Sequence, residues 1–224
     1  MKGKNMKEGI VIYSGGLDST VLLSKVCAAN SNVSALHFCY GQKHNDRELQ
    51  AALNVCTQLN VYMQIIELDF TAWGFKSELL SAQGNIPERE YNEEDLKKTV
   101  VPFRNGIMIS IAAGIAASRG ADVVHIGAHS DDHAVYPDCR PDFLWNMCTA
   151  IVHGTDMKVR LEFPFFEKSK TDIVKIGADL GAKMHLSYSC YNGGELHCGV
   201  CSTCRARKEA FHLADVVDST EYEN

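Results

Sequence analysis

Short apolar runs alternate with helical spacings along most of the chain. Residues 9–13, Gly-Ile-Val-Ile-Tyr, form an apolar run that predicts a buried strand. Residues 20–26 continue as a helix. A second strand is predicted at 33–40. Between 46 and 59 the apolar residues fall at Leu49, Ala52, Leu53, Cys56 and Leu59, one face of a helix with a polar opposite face. A third strand follows at 61–68. From 69 to 98 the pattern lapses, and a gap of this length predicts either a segment that orders over a substrate or a disordered insertion. Residues 106–119 are rich in alanine and poor in charge, hence a buried helix. A fourth strand (122–128), a polar loop (129–141), a helix (142–153) and a fifth strand (159–163, halted by Pro164) come next. Ser169 with Asp172 three residues on has the pattern of a capping box and starts a helix over 170–180. A short helix at 205–213 and an acidic tail close the chain.

Strands and helices alternating in this way predict right-handed βαβ units. The expected fold is α/β: a twisted, mainly parallel five-stranded sheet with helices on both faces, plus a cysteine-bearing C-terminal loop. The expected organisation is an α/β domain over 1–186, with 187–224 integral to the same domain. Ligands of such sheets sit beyond the carboxyl ends of the strands, at the switch in strand order. Strands one and four are expected side by side there, so the loops at 14–19 and 129–140 would share one crevice.

The net charge is −6, which leans towards a small-molecule substrate and away from nucleic acid. No stretch approaches the ~20 apolar residues that span a bilayer. The lysines of residues 2–7, read as a frayed lead-in, precede no apolar signal core, so a cytoplasmic location is expected.

Two clusters carry candidate chemistry. Ser14-Gly15-Gly16-Leu17-Asp18-Ser19, followed by Thr20, lies between a strand and a helix. Adjacent glycines admit a ligand to the backbone, and the helix N-terminus supplies N–H groups and a positive dipole end, so the stretch suits phosphate. It has neither the Gly-Lys-Ser/Thr of the common nucleotide loop nor Gly-x-Gly-x-x-Gly. The plain alternative is a Gly-Gly turn with Asp18 as a helix cap. The second cluster is Cys190, Cys198, Cys201 and Cys204, four of nine cysteines, crowded within fifteen residues. An odd total with no secretion signal argues against disulfides. Four thiolates complete a tetrahedral Zn²⁺ site with no open position, hence a structural one, with an iron–sulfur cluster or unligated thiols as alternatives.

The phosphate loop resembles that of the N-type ATP pyrophosphatases. Three further segments extend the likeness: Tyr40-Gly41-Gln42-Lys43-His44, residues 101–106 (Val-Pro-Phe-Arg-Asn-Gly) and residues 127–140. With residues 189–201 they resemble, in order from about residue 9 to about residue 212, the 7-cyano-7-deazaguanine synthase family. The resemblance implies a Rossmann-like ATP pyrophosphatase fold and a homodimer. It implies conversion of 7-carboxy-7-deazaguanine and ammonia to the 7-cyano compound through adenylated intermediates, with release of AMP and pyrophosphate. ATP and Mg²⁺ would be held by Ser14, Gly15, Gly16, Leu17, Asp18, Ser19 and Thr20, and catalysis would fall to Asp18, Arg104 and Lys170.

Gln42, His44, Arg104, Asn105, His133, Tyr136, Asp138 and Arg140 would meet the deazapurine. Arg104 has the planar fork for a carboxylate or phosphate, Lys170 the charge for a phosphate, and Asp138 the acceptors for a guanine-like edge. His44 and His133 have the pKa class of proton carriers. Four of these residues also have a structural alternative: an ion pair for Arg104, a turn cap for Asp138, a surface charge for Arg140, a solvated helix face for Lys170. The rival functions are the same chemistry halted at the amide, a tRNA-modifying sulfurtransferase, and a zinc-bearing module that only binds nucleotide.

Overall fold

The computed structural model of the chain describes residues 8–80 and 97–223. The lead-in at 2–7 and the acidic part of the 69–98 segment lie outside them. β1 (Gly9–Ile12), β2 (Val33–Cys39), β3 (Tyr62–Glu67), β4 (Val123–His125) and β5 (Arg160–Glu162) pair in the order β3-β2-β1-β4-β5, every pair parallel. The helices are α1 (Leu17–Ala29), α2 (Asn45–Leu59), α3 (Arg104–Arg119), α4 (Pro141–Gly154), α5 (Lys170–Asp179) and α6 (Ser202–Ala214). The chain leaves β1 towards β2 and β3, then returns to lay β4 on the other side of β1. The switch point therefore lies between β1 and β4, as the alternation predicts.

Strand residues alternate between two apolar layers. Ile10 and Leu36 face Ile109 of α3 and Leu144 of α4 in one core. Val11 and Tyr13 face Leu22 of α1, Ala52 of α2, Val174 of α5 and Phe211 of α6 in the other. Each fully buried leucine or isoleucine contributes about 1.5–3 kcal/mol of transfer free energy.

Three helices begin earlier than their apolar patterns suggest. α1 starts at Leu17 rather than residue 20, α3 at Arg104 rather than 106, and α6 at Ser202 rather than 205. Their first turns carry polar residues (Asp18 and Ser19; Arg104 and Asn105; Ser202 and Thr203) that periodicity does not register. Each start places cavity-lining residues on a rigid helix instead of a loop.

The acidic tail is docked. Arg207 of α6 is 1% exposed. It donates to both carboxylate oxygens of Asp218 (3.0 and 3.2 Å), to Ser187 Oγ (2.8 Å) and to Met184 O (3.0 Å). Tyr222 OH donates to Asp218 at 2.7 Å, and the backbone of Tyr222 bridges that of His197. Burial pushes the Asp218 carboxyl up, but Arg207 outweighs it and holds it below the ordinary carboxylate range. A depressed carboxyl stabilises the fold above its unfolded-state pKa, and that stability is lost as pH falls through the folded-state value. Asp218→Asn leaves a buried guanidinium unpaired at a cost of about 3–5 kcal/mol. Its melting temperature is expected to drop by on the order of 10 °C near neutral pH. The gap from the parent protein should narrow as the solution is acidified. A variant that melts with the parent at neutral pH would refute this role for the pair.

Candidate active site

Where β1 ends, Ser14 and Gly15 lead into Gly16, the N-cap of α1, which offers no side-chain cap. The first N–H groups of α1 therefore keep no side-chain cap and meet the dipole's positive end. Ser14 Oγ accepts from Gly16 N (3.2 Å) and lies 3.0 Å from Ser19 Oγ, which donates to Gly16 O (3.1 Å). The two hydroxyls thus tie the loop into a ring. Gly15 has φ +88°, and a Cβ there would stand 2.5 Å from Glu48 O of α2. Only glycine lets α2 close on the loop so tightly. Tyr188 N donates to Gly15 O at 2.9 Å from the other side.

Opposite the loop stand Lys170, first residue of α5, and His129, just after β4. Lys170 Nζ is 3.0 Å from Asp18 Oδ2, and His129 Nε2 lies 3.5 Å from the same oxygen and 3.4 Å from Asp132 Oδ2. Asp131 accepts from Lys170 N at 2.8 Å, and the Ser169–Asp172 capping box fixes the start of α5. Burial pushes the Asp18 carboxyl up, but Lys170 and His129 outweigh it and hold it far below the carboxylate range. Burial alone would depress His129, but Asp18 and Asp132 raise it, so its positive form is favoured. Asp18 Oδ1 is buried without a hydrogen-bond partner among the described residues. A lone carboxylate oxygen beside a phosphate loop fits a hard cation such as Mg²⁺.

These groups line one end of a cavity of about 740 Å³ beyond the carboxyl ends of β1 and β4. The other end is aromatic, walled by Phe38, Tyr40, Tyr136 and Tyr191. Arg104 projects into it from the first turn of α3, donating to Tyr40 OH at 3.1 Å with its guanidinium 5.7 Å from that ring's centre. Among the described residues no carboxylate pairs with Arg104. Phe103, the N-cap before it, is held at φ +56°, a left-handed conformation that costs about 1–2 kcal/mol. Strain of that kind persists where the surroundings enforce it, here directly before the residue that enters the cavity.

Of the residues singled out from sequence, Ser14, Gly16, Leu17, Asp18 and Ser19 line the loop end of the cavity, with Lys170. His44, Arg104, Asn105 and Tyr136 line the walls. Gly15, Thr20, Gln42, His133, Asp138 and Arg140 do not line the cavity. Gly15 backs onto α2, and Thr20 Oγ1 meets Tyr13 OH at 3.1 Å. Gln42 accepts from Tyr40 N (2.8 Å) and donates to Phe38 O (3.3 Å). Asp138, expected at a guanine-like edge, is buried and caps α3 instead, its Oδ2 accepting from Asn105 N at 2.8 Å. Arg140 Nε donates to His133 O at 2.9 Å, away from the cavity. The structure adds His129, Asp132, Glu48 and Tyr191, which the sequence did not single out.

The sulfurs of Cys190, Cys198, Cys201 and Cys204 are buried and lie within 4.8 Å of one another. Cys198 N points at Cys190 Sγ (3.4 Å) and Cys201 N at Cys198 Sγ (3.3 Å), as suits thiolates. At a Zn–S distance of about 2.3 Å, tetrahedral sulfurs stand roughly 3.8 Å apart, so the cluster fits a four-sulfur metal site with no open position. His197 is not part of it: its Nε2 accepts from Ser189 N at 2.9 Å.

The family model described as "Queuosine biosynthesis protein QueC" matches residues 8–215. A 7-cyano-7-deazaguanine synthase of Porphyromonas gingivalis is 49% identical over 217 residues, covering 97% of this chain and 98% of the relative. One from Desulfotalea psychrophila is 46% identical, covering 97% and 99%. Among solved structures, U34-tRNA thiolase NcsA from Methanococcus maripaludis with its [4Fe-4S] cluster shares the fold (TM-score 0.51, 17% identity, 98% of this chain and 75% of that one). NMN synthetase from Francisella tularensis does likewise (TM-score 0.50, 13% identity, 95% and 79%).

Proposed function

The chain belongs to the QueC family of queuosine biosynthesis proteins, and on that premise we propose that its cavity makes 7-cyano-7-deazaguanine from 7-carboxy-7-deazaguanine, ammonia and ATP. One observation carries the reading. A single cavity holds two cationic poles: Lys170 at a phosphate loop, and Arg104, without a carboxylate partner among the described residues, in an aromatic chamber. The first suits the phosphates of ATP and the second a flat, carboxylated ring.

In the first half-reaction a carboxylate oxygen of the substrate attacks the α-phosphorus and pyrophosphate leaves. The N–H groups of α1, Ser14, Ser19 and Lys170 hold the departing charge, while Arg104 holds the carboxylate in line. Ammonia adds to the activated carbon, AMP departs and a proton is lost, giving the amide. In the second half-reaction the amide oxygen attacks a second ATP in the same way. Loss of AMP and the remaining N–H protons then leaves the nitrile. Positioning and fixed charge supply most of the acceleration such transfers need. Mg²⁺, held by Asp18, would neutralise phosphate charge. Zn²⁺, held by the four cysteines, would brace the loop that carries Tyr188 onto Gly15. Ammonia would come from solution or a separate partner, and the working form would be a cytoplasmic homodimer. Among the described residues no helix is long and apolar enough to cross a membrane.

A sulfur-transfer reading is disfavoured by the thiols. Cys139 lines the cavity, but burial pushes its thiol well above the ordinary value, so it is a poor nucleophile near neutral pH. The test is mass spectrometry of the product formed with labelled ammonium. The expected result is one labelled nitrogen in the nitrile and two AMP per nitrile; a terminal amide would reject the second half-reaction.

A further inference from the structure

Asp138 caps α3 and does not line the cavity, so the guanine-type edge of the substrate needs another acceptor. That edge presents a ring N–H beside an exocyclic amino group, two parallel donors that a carboxylate meets with its two oxygens. Among the described residues, five carboxylates line the cavity. Asp18, Asp131 and Asp132 cluster around Lys170 and His129, opposite the Gly-Gly loop. Glu209 lies exposed on α6. The fifth is Glu48, in the first turn of α2, with a side chain 14% exposed.

We propose that Glu48 reads the guanine-type edge of the deazapurine, its carboxylate accepting the ring N–H and the amino group together while Arg104 holds the substrate's carboxylate. This rests on the synthase reading above and adds the residue that selects the ring system.

Three observations support the assignment. First, Glu48 is fixed in place by its neighbours. Gln42 Nε2 donates to its Oε2 at 3.2 Å, and Gln42 is itself pinned by Tyr40 N and Phe38 O. His44 Nε2 lies 3.5 Å from its Oε1. An ionised carboxylate offers about four acceptor positions, so capacity remains for two ligand donors. Second, no lysine or arginine among the described residues pairs with it, yet it stays ionised. Burial pushes the carboxyl up, but His44 and Gln42 outweigh it and hold it below the usual range. Third, it belongs to the aromatic end. Tyr40 OH feels both Arg104 and Glu48, and the His44 ring lies 5.3 Å from that of Tyr191. A flat ring between these walls would present its anionic edge to Arg104 and its donor edge to Glu48.

An adenine-type edge lacks the adjacent donor pair and would leave the carboxylate unsatisfied, which is how a polar site rejects a near-isostere. The experiment compares kcat/KM for 7-carboxy-7-deazaguanine with that for its counterpart lacking the exocyclic amino group, in the parent protein and in Glu48→Gln, with KM for ATP measured alongside. The parent is expected to prefer the amino-bearing ring by at least about tenfold. Glu48→Gln should erase most of that preference and raise KM for the deazapurine, with KM for ATP unchanged. A Glu48→Gln protein that keeps the parent's preference, or loses ATP and deazapurine affinity in equal proportion, would overturn the assignment. If Glu48→Gln fails to fold, Glu48→Asp serves: it should keep the preference at reduced affinity, and its loss of preference at unchanged affinity would count against the proposal. A parent protein that turns over both rings equally overturns the proposal without any variant. One that turns over neither overturns the synthase reading instead.

Discussion

Asp18→Asn is expected to lower turnover of the carboxylate and of the amide together, each by roughly 10²–10³-fold. The reason is that one oxygen anchors two cations. Lys170 Nζ and His129 Nε2 both converge on Asp18 Oδ2, at 3.0 and 3.5 Å. The amide of asparagine keeps the shape but removes the charge, so both cations lose the anion they share beside the loop. Asp18 Oδ1, which has no partner of its own among the described residues, would lose its fit to a cation as well. Single-turnover assays, begun once from the carboxylate and once from the amide, separate the half-reactions. A parallel loss is expected because the proposed reaction draws on one phosphate site for both activations. Loss of only one would mean that the two activations use different phosphate contacts. Lys170→Met should move both in the same direction, while a circular-dichroism melt checks that the fold survives.

The sheet was readable because its signals are local. Each strand is a short apolar run, each connection is long enough for a crossover helix, and parallel pairing then leaves few orders open. The strand, Gly-Gly turn and helix start at residues 9–29 were legible for the same reason, being contiguous. The remainder of the site is assembled across long separations. Lys170 reaches Asp18 over 152 positions, and Arg104 reaches Tyr40 over 64. His129 and Asp132 look like any polar loop, and Glu48 looks like a favourable acid in the first turn of a helix; only the folded cavity shows which face they present. Asp138 carries the opposite lesson. It lies in a loop beyond a strand end, where ligand contacts gather, but an open helix start 33 residues earlier claims its carboxylate. The tail reads only as acidic, because its pairing with a buried arginine through Asp218 leaves no mark in local composition.

Removing the metal from the cysteine cluster is expected to cost the protein both stability and affinity for ATP. Structural zinc sites contribute about 10–16 kcal/mol of apparent binding free energy near neutral pH, more than most domains have to spare. Here four buried sulfurs are crowded within 4.8 Å of one another, and the chain just before Cys190 supports the Gly15 loop. Tyr188 N donates to Gly15 O, Tyr188 OH donates to Gly194 O, and Ser189 N donates to His197 Nε2. If the cluster opens, those anchors loosen together and Gly15 loses its support on that side. Elemental analysis is expected to find one zinc per chain; iron with visible absorbance would instead identify a cluster. Chelation, or Cys201→Ser, should lower the melting temperature and weaken ATP binding in calorimetry. Returning the metal to the chelated parent should restore both with the same stoichiometry. Because Arg207, paired with Asp218, grips Ser187 and Ser189 independently of the sulfurs, a second outcome is informative. Unchanged ATP affinity in metal-free protein would mean that this ion pair alone positions the loop.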